Sequence, residues 1–375
     1  MATEPNERGA GAGVREHLHR NLLRARNGIK WLAGTEFAPE HPTQSDVIWR
    51  GGKAEMRHYR RDSPPRLGPP VVAFLGLVGR SNIFDLYKGG SIVQMLMDWG
   101  FDAYVMDWGV ADELDSPNTL ETYMGHYLPQ ALKAVAEVSG YDNVHFLTYC
   151  MGGAMLVHGL AGKVPVSARS VVTIAAPFDL RHLGATFDAI REGKIKPEDL
   201  LDDTGNVPGP LLVKSFKRRK PTYALVAGAN LWENLWNEQY LEGYQAIGRY
   251  LSSYPPLAGA LLRQLMQQWM VENAFMSDSL RFGGRRASLK NVRTPILAVI
   301  AEKDEITPLE ATTPIVEILP NAQVELLRVD AGHVGLFVGR EAVKIVMPKI
   351  FKWIEDNSES INCDVRPETN SGQAV

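Results

Sequence analysis

The chain has little cysteine, little net charge and no long hydrophobic run, and each absence excludes a class of protein. Two of its 375 residues are cysteines, Cys150 and Cys363, too few for a disulfide framework and typical of a protein from a reducing cytosol. The formal net charge of -3 argues against nucleic-acid binding, which needs a strongly basic surface. No run reaches about 18 apolar residues, so we expect no transmembrane segment. The N terminus, MATEPNERGAGAG, lacks the apolar region of a secretory signal.

The apolar share of 45% is that of a globular protein, and its distribution predicts an α/β fold. Seven apolar and β-branched runs predict strands, over residues 55–60, 71–77, 102–108, 144–149, 170–176, 296–301 and 323–329. Helical patterns lie between many of them, over residues 90–99, 120–138, 152–162, 312–319 and 341–355. Several strands are apolar throughout, as in a sheet covered on both faces. Alternating strands and helices predict a mostly parallel sheet flanked by helices.

The alternation stops between Pro177 and Pro295, where helical patterns and tryptophans occur without a clear strand. We interpret this stretch as a helical cap inserted between two sheet strands; the alternative is a longer part of the same domain. The predicted division is a helical or irregular extension over 1–50, a core over 51–177 and 293–356, a cap over 178–292 and a disordered tail over 357–375.

Residues 14–32 of the extension predict a basic amphipathic helix, with apolar residues near helical spacing at Leu18, Leu22, Ile29 and Leu32. Packing against the flank of the domain is the simpler interpretation. The alternative is a surface that docks on a hydrophobic particle or on a partner helix.

A strand, VHFLTY, runs directly into a predicted helix that begins CMGG, and this is the shape of a nucleophile elbow. The sharp turn pushes the side chain of Cys150 away from the sheet, and the helix N terminus favours its thiolate. The elbow pattern is G-x-nucleophile-x-G, but here Thr148 occupies the first glycine position and Gly152 the second. A buried cysteine at a strand end can also be an inert packing residue.

Two later strand ends carry the residues that would complete a catalytic triad. Asp304 follows the strand ILAVIA, and His333 follows the strand QVELLRV. Nucleophile, acid and then histidine is the chain order of α/β-hydrolases, and His333 is the only histidine after His182. Asp304 alone could cap a turn, and His333 alone could be a packed loop residue. Asp330 is a second candidate for the acid, less well placed because it lies three residues before the histidine.

These residue types predict an acyl-transfer mechanism. His333 takes the proton of Cys150, and the thiolate attacks an acyl carbonyl. Asp304 either orients the imidazole or accepts a proton itself. The oxyanion needs two backbone N–H donors, which we expect from Met151 and from Val78 in the loop after FLGL. We expect no metal site and no nucleotide cofactor, because no metal-ligand spacing, P-loop or G-x-G-x-x-G sequence occurs.

A cysteine nucleophile favours one kind of acyl transfer. Its acyl-enzyme is a thioester, close in energy to a coenzyme A thioester, and passing the acyl group on to an alcohol is downhill. Cysteine therefore suits transfer from acyl-CoA to a hydroxyl group, and a cap that excludes water would protect the intermediate. Some hydrolases also use cysteine.

The sequence resembles the polyhydroxyalkanoate synthases, especially the short form that works with a second subunit. The resemblance covers roughly residues 71–353, through the motifs LVGRSNIFDL, YVMDWG, TLETYMGHYLPQALKAV, TYCMGG, VVTIAAPFD, DDTGNVPG, AEKDEITP and AGHVGLFVG. It implies Cys150 as the nucleophile that holds the growing chain, His333 as the base, and Asp304 as an aid to attack by the substrate's 3-hydroxyl. The sequence departs from the family at Thr148, where a glycine is usual, and this puts polymerase efficiency in doubt.

The resemblance also implies the substrate and the surroundings. It implies (R)-3-hydroxyacyl-CoA as substrate, coenzyme A and polyester as products with no separate cofactor, a companion subunit, and a cytoplasmic location on polyester granules. We also expect a homo-oligomer. The cationic strings KSFKRRKP and RFGGRRASLK are interpreted first as solvated surface. Their alternative role is to hold the phosphates of coenzyme A.

Two other functions remain open at this point. A hydrolase, either a thioesterase or a polyester depolymerase, would use the same triad. A non-catalytic granule protein that keeps the fold is the third possibility. Replacing Cys150 by Ala separates the enzymes from the binder, because only an enzyme would lose turnover.

Overall fold

One nine-stranded sheet forms the centre of the molecule in a computed structural model, which describes residues 7–37, 42–219, 223–339 and 341–361. The strands are β1 (Ser45–Gly51), β2 (Ala54–Tyr59), β3 (Leu67–Leu75), β4 (Phe101–Asp107), β5 (Val144–Tyr149), β6 (Ala168–Ile174), β7 (Ile296–Ala301), β8 (Val324–Val329) and β9 (Glu359–Ser360). Their order is β1-β2-β4-β3-β5-β6-β7-β8, and β9 pairs with β3. The strands from β4 to β8 in this order pair in parallel, whereas β1, β2 and β9 pair antiparallel.

Helices cover both faces of this sheet. The helices are α1 (Glu7–Leu32), α2 (Ile92–Trp99), α3 (Leu128–Ser139), α4 (Met151–Ala161), α5 (Ala185–Arg191), α6 (Gly209–Arg219), α7 (Tyr223–Asn234), α8 (Glu238–Ser252), α9 (Gly259–Leu265), α10 (Leu309–Thr312), α11 (Ile315–Ile318) and α12 (Met347–Asp356). Two hydrophobic clusters result, one between the sheet and α3 and α4, the other between the sheet and α2 and α12.

The central strand β5 shows why its apolar run folds between two layers of helices. Val144 and Phe146 belong to the cluster with α3 and α4, while Leu147 and Tyr149 belong to the cluster with α2 and α12. All six residues of the strand are buried. A strand with apolar side chains on both faces stabilises the fold only where helices cover both faces. The predicted α/β fold with a mostly parallel sheet is therefore confirmed.

Among the described residues between β6 and β7 are five α-helices, α5 to α9, and two short β pairs. Asn206–Val207 pairs with Leu257–Ala258, and Arg281–Phe282 pairs with Arg285–Arg286. Helix α8 returns to the sheet, because Ala246 and Tyr250 are buried in the same cluster as Leu75 of β3. The inserted segment thus contributes side chains to the carboxyl edge of the central strands.

Helix α1 lies against the inserted segment through polar contacts. The buried side-chain amide of Asn27 donates to the carbonyl oxygen of Leu235 at 2.9 Å, and Arg26 lies 2.8 Å from Glu238. The four apolar residues that we expected to form its packing face are instead exposed: Leu18, Leu22, Ile29 and Leu32. The helix was predicted, but its packing face is the polar one.

The central sheet contains two strands beyond the seven predicted ones. Strand β1 begins inside the predicted extension over 1–50 and ends at Gly51, and β9 lies inside the predicted tail. The described chain therefore continues past the predicted boundary at residue 357, while Cys363 and the rest of 362–375 lie outside the described residues. Within the described ranges, no helix is both long and apolar enough to cross a membrane.

Candidate active site

Cys150 stands at the turn between β5 and α4 in a conformation that L-residues rarely adopt. Its φ is 51° and its ψ is -130°. The backbone N–H of Cys150 donates to the carbonyl oxygen of Ile174 at the end of β6, at 2.8 Å. The side chain is partly exposed and packs against the cluster that contains the end of β3. The turn is therefore the strained elbow that the sequence predicts, held by the neighbouring strand.

Glycines let the backbone at the start of α4 touch the loop after β3. A Cβ added to Gly152 would lie 2.7 Å from the carbonyl carbon of Leu75, and a Cβ added to Gly76 would lie 2.6 Å from the Cβ of Met151. Any larger residue at either position would push the two backbones apart. The structure thus brings Met151 against the loop that carries Val78, which are the two predicted sources of oxyanion N–H groups.

Thr148 fits the elbow without disturbing it. Its hydroxyl donates to the carbonyl oxygen of Val172 on β6 at 2.8 Å, and the side chain is fully buried. A Cβ on Gly153 would lie 3.1 Å from that hydroxyl oxygen, so Gly153 provides the space that Thr148 occupies. The departure from the glycine pattern is compensated inside the strand and helix, and Cys150 keeps its elbow conformation.

Asp304 and His333 are buried together, with Asp304 Oδ2 2.7 Å from His333 Nδ1. The other carboxylate oxygen, Oδ1, accepts the backbone N–H groups of Ile306 and Thr307, each at 2.8 Å. Oδ2 also accepts the hydroxyl of Thr307 at 2.9 Å. The carboxylate therefore has two hydrogen bonds on each oxygen, which fixes the plane in which His333 lies.

Thr307 is a residue of this site that sequence reasoning did not identify. Its hydroxyl oxygen lies 2.9 Å from Asp304 Oδ2, 3.2 Å from His333 Nδ1 and 3.2 Å from the carbonyl oxygen of Ala175. The side chain is buried. Thr307 thus links the acid and the histidine to the strand end beside the nucleophile. A threonine three residues after the aspartate was the available signal, since such side chains close local turns.

Electrostatics couple the three predicted triad residues. Burial alone would lower the pKa of His333, but the negative charge of Cys150 and the hydrogen bonds to Asp304 and Cys150 raise it from 6.5 to about 10. Burial raises the pKa of Asp304, yet the hydrogen bond and charge of His333 keep it below its ordinary value of 3.8. At neutral pH, His333 is therefore an imidazolium, hydrogen-bonded to the carboxylate of Asp304 and to Cys150.

Tyr149, next to the nucleophile, contacts the loop that carries His333. Its hydroxyl donates to the backbone carbonyl oxygen of His333 at 3.3 Å, and the two ring centroids are 5.0 Å apart. Its ring centroid also lies 4.2 Å from that of Phe337. This residue fills the variable position of the elbow, so the pattern gave no indication of its role.

Asp330, the second candidate for the acid, does not join the site. Its carboxylate lies 2.6 Å from the ammonium of Lys303, and its side chain is 65% exposed. Asp304, in contrast, has a side chain with 0% exposure. The structure brings Asp304, and not Asp330, to His333.

Asp107 and Trp108 hold the loop after β3 in place. The indole N–H of Trp108 donates to the carbonyl oxygen of Leu75 at 2.8 Å. The carboxylate of Asp107 accepts the hydroxyl of Ser81 and, at 2.7 Å, the backbone N–H of Gly109. Both ends of the segment from Leu75 to Ser81 are thus bonded to the end of β4. Asp107 and Trp108 therefore have a structural role that the sequence did not predict.

A small pocket, partly open to solvent, adjoins the other side of this loop. Three parts of the chain line it: the loop with Leu77 and Gly79, the end of β4 with Trp108, and the inserted segment with Pro255 and Pro256. None of the described residues of the two cationic strings, which were the predicted coenzyme A contacts, lines this pocket. In the second cationic string, Arg281 lies 2.7 Å from Glu272 and Arg286 3.3 Å from Asp278.

Most side chains of the first cationic string, residues 214–221, lie outside the described part of the structure. Within the described residues, no group of three or more histidine, cysteine, aspartate or glutamate side chains is arranged to hold a metal ion.

Comparison with known proteins agrees with this architecture. A family model of the alpha/beta hydrolase fold matches residues 69–340. The poly(3-hydroxyalkanoate) polymerase subunit PhaC of Haloferax mediterranei is 28% identical over 331 residues, which cover 88% of this chain and 67% of the relative. The subunit of the same name from Allochromatium vinosum is 28% identical over 336 residues, covering 88% and 93%.

A solved structure shares the fold at low sequence identity. The thermophilic esterase from Thermogutta terrifontis has a TM-score of 0.50 and 16% identity, covering 84% of this chain and 99% of the esterase. The family match spans most of the chain, including Cys150, Asp304 and His333. The chain therefore belongs to the α/β-hydrolase fold family, and its resemblance to the polyhydroxyalkanoate synthases is confirmed.

Proposed function

We propose that the protein is an acyltransferase that polymerises (R)-3-hydroxyacyl-CoA into polyester and releases coenzyme A. One observation carries the proposal: a cysteine at the strained elbow is coupled to a buried histidine and aspartate. The relatives named as polymerase subunits support the choice of substrate. A cysteine nucleophile supports transfer from a thioester, because the acyl-enzyme is then itself a thioester.

In the first step the Cys150 thiolate attacks the carbonyl carbon of the acyl-CoA. A bond forms between the Cys150 sulfur and that carbon, and the carbonyl oxygen becomes an oxyanion facing the N–H groups of Met151 and Val78. Collapse of this intermediate breaks the bond to the coenzyme A sulfur. The leaving thiolate takes the proton of His333, so that coenzyme A leaves as a thiol and His333 becomes neutral.

Acylation prepares His333 for the second step. The charge of Cys150 is the largest of the contributions that raise the pKa of His333, and that charge disappears when the sulfur is acylated. The pKa of His333 then falls, and the neutral imidazole can accept a proton from the 3-hydroxyl of an incoming substrate. The hydroxyl oxygen attacks the acyl carbon, an ester bond forms, and the Cys150 thiolate leaves beside a reprotonated His333.

Asp304 orients His333 and does not receive the substrate proton in this proposal. Both of its oxygens already accept two hydrogen bonds, and its side chain has 0% exposure. A substrate hydroxyl would have to displace His333 or Thr307 to reach it. His333 therefore serves as the acid of the first step and the base of the second.

The test is to incubate the purified protein with (R)-3-hydroxybutyryl-CoA, follow thiol release, and weigh insoluble polymer against free acid. Coenzyme A release with polymer, lost in Cys150→Ala, is the expected result. Release with only 3-hydroxybutyrate would replace the polymerase with a thioesterase. Turnover that persists in Cys150→Ala would refute the nucleophile.

We further propose that the protein works on cytoplasmic polyester granules, as an oligomer with a companion subunit. The relatives named as subunits and the exposed apolar residues Leu22, Ile29 and Leu32 of α1 support this. Sedimentation with poly(3-hydroxybutyrate) particles tests the granule part. Replacing these three residues by Gln should reduce binding, and unchanged binding would locate the granule surface elsewhere.

A further inference from the structure

A tyrosine from the inserted segment reaches the loop that carries a predicted oxyanion donor. Tyr250 lies near the end of α8 and is 4% exposed. A Cβ added to Gly79 would lie 2.6 Å from the Tyr250 hydroxyl oxygen. Gly79 directly follows Val78, so the hydroxyl lies beside the segment from which we expect an N–H donor. Tyr250 also belongs to the cluster against which Cys150 packs.

The hydroxyl of Tyr250 has no hydrogen-bond partner among the residues that the structure describes. Other buried tyrosines do: the hydroxyl of Tyr149 donates to the His333 carbonyl oxygen, and that of Tyr104 donates to Asp102 at 2.8 Å. The residue as a whole is buried, but its hydroxyl oxygen is not one of the fully enclosed atoms that lack a partner. A molecule bound next to the loop after β3 can therefore reach this hydroxyl and pair with it.

The surroundings keep this hydroxyl a donor. Burial raises the pKa of Tyr250 well above its ordinary value of 10.0, and the charges of Tyr254 and Cys150 act in the same direction. The phenol therefore stays protonated at neutral pH. A protonated phenol in a buried site stabilises negative charge that develops on a neighbouring oxygen.

We propose that Tyr250 is a catalytic residue whose hydroxyl donates a hydrogen bond to the carbonyl oxygen of the acyl group as Cys150 attacks it. This rests on the proposed acyl transfer and adds a side-chain donor to the backbone N–H groups of Met151 and Val78. The core then supplies two donors and the inserted segment a third. The oxyanion site is complete only when α8 lies against the loop after β3.

The test compares two reactions of the same sulfur in Tyr250→Phe. Acylation by (R)-3-hydroxybutyryl-CoA passes through an oxyanion, whereas alkylation by iodoacetamide does not. We expect the first-order rate of acylation, measured by rapid quench and intact mass, to fall about 100-fold, as for the loss of one oxyanion donor. The rate of alkylation should stay within about twofold of the wild type, because thiolate chemistry is untouched.

Tyr254→Phe is the matched control. Its ring centroid lies 5.9 Å from that of Tyr250 in the same cluster, but the side-chain atoms nearest to Gly79 belong to Tyr250 and Leu75, so Tyr254 tests the packing of the cluster. We expect Tyr254→Phe to acylate at nearly the wild-type rate. Equal losses in both variants would refute a specific donor and assign the effect to packing.

Other outcomes separate this proposal from the proposed function. If the wild type acylates and Tyr250→Phe acylates equally fast, the donor role is wrong while acyl transfer stands. If alkylation slows as much as acylation in Tyr250→Phe, Tyr250 acts on the thiolate and the oxyanion role is wrong. If the wild type is not acylated by acyl-CoA at all, the proposed function fails, and this proposal fails with it.

Discussion

Replacing Asp304 by Asn is the sharpest test of how the site works, because the structure dictates where the new amide must point. In the native site Oδ1 accepts two backbone N–H groups at 2.8 Å each, and Oδ2 accepts His333 at 2.7 Å. An asparagine has only one oxygen. The two backbone donors will keep it, which turns the NH2 group towards Nδ1 of His333.

That rotation changes the tautomer of the histidine. Nδ1 must accept a hydrogen bond from the amide, so the proton moves to Nε2, on the side of Cys150, and the ring can no longer take up a proton there. Losing one charge-assisted hydrogen bond alone costs about 1.5–3 kcal/mol, or roughly 10- to 150-fold in rate. The wrong tautomer costs about 10⁴-fold in serine triads. Because cysteine is acidic enough to ionise without full assistance, we expect a fall in kcat of about 10³-fold.

The assay is steady-state coenzyme A release, with Asp330→Asn as the matched control. Asp330 carries the same charge but has a side chain that is 65% exposed and pairs with Lys303. Asp330→Asn should keep kcat within about twofold, as surface substitutions usually do. A fall of less than about tenfold in Asp304→Asn, or a similar fall in both variants, would refute the orienting role of Asp304.

The other predictions concern the pKa of His333, Thr307 and the loop after β3. Cys150→Ala should lower the pKa of His333 from about 10, followed by NMR of labelled histidine; an unchanged pKa would contradict the ion pair. Because folding raises the pKa of His333, its protonation stabilises the fold fully below the unfolded value of 6.5, and this contribution is lost as the pH rises to about 10. The wild type's free energy of unfolding in urea should therefore fall over that pH range. Thr307→Val should slow coenzyme A release about tenfold and Thr307→Ser should not; equal rates would remove Thr307 from the site. Trp108→Phe leaves the Leu75 carbonyl unpaired, so the free energy of unfolding in urea should fall by about 1–3 kcal/mol, and no change would show that water replaces the indole.

The central sheet was predictable because its strands are buried on both faces. The runs 144–149 and 296–301 match β5 and β7 at both ends. Strand β1 was missed because its residues are only partly buried and lie at the edge of the sheet. Its signal was present in the pair Gly51–Gly52 before a second apolar run, which is typical of a tight hairpin.

The positions of Cys150, Asp304 and His333 could be predicted because each follows a strand, and parallel strands end at the same edge of the sheet. Their catalytic roles stay predictions until the variants are measured. Tyr250 could not be predicted, since its contact with Gly79 depends on how the inserted segment folds back over the sheet. No local pattern encodes a contact between residues so far apart in the chain.

The strained conformation of Cys150 sets selection for stability against selection for activity. A non-glycine residue at φ 51° and ψ -130° costs about 1–3 kcal/mol, a cost that the rest of the fold must offset. Glycine at position 150 would relieve that cost and remove the nucleophile in one change. A laboratory search for heat-resistant variants that does not also select for turnover would therefore drift toward inactive proteins. Directed evolution of this enzyme should couple every round of heating to a measure of polymer made.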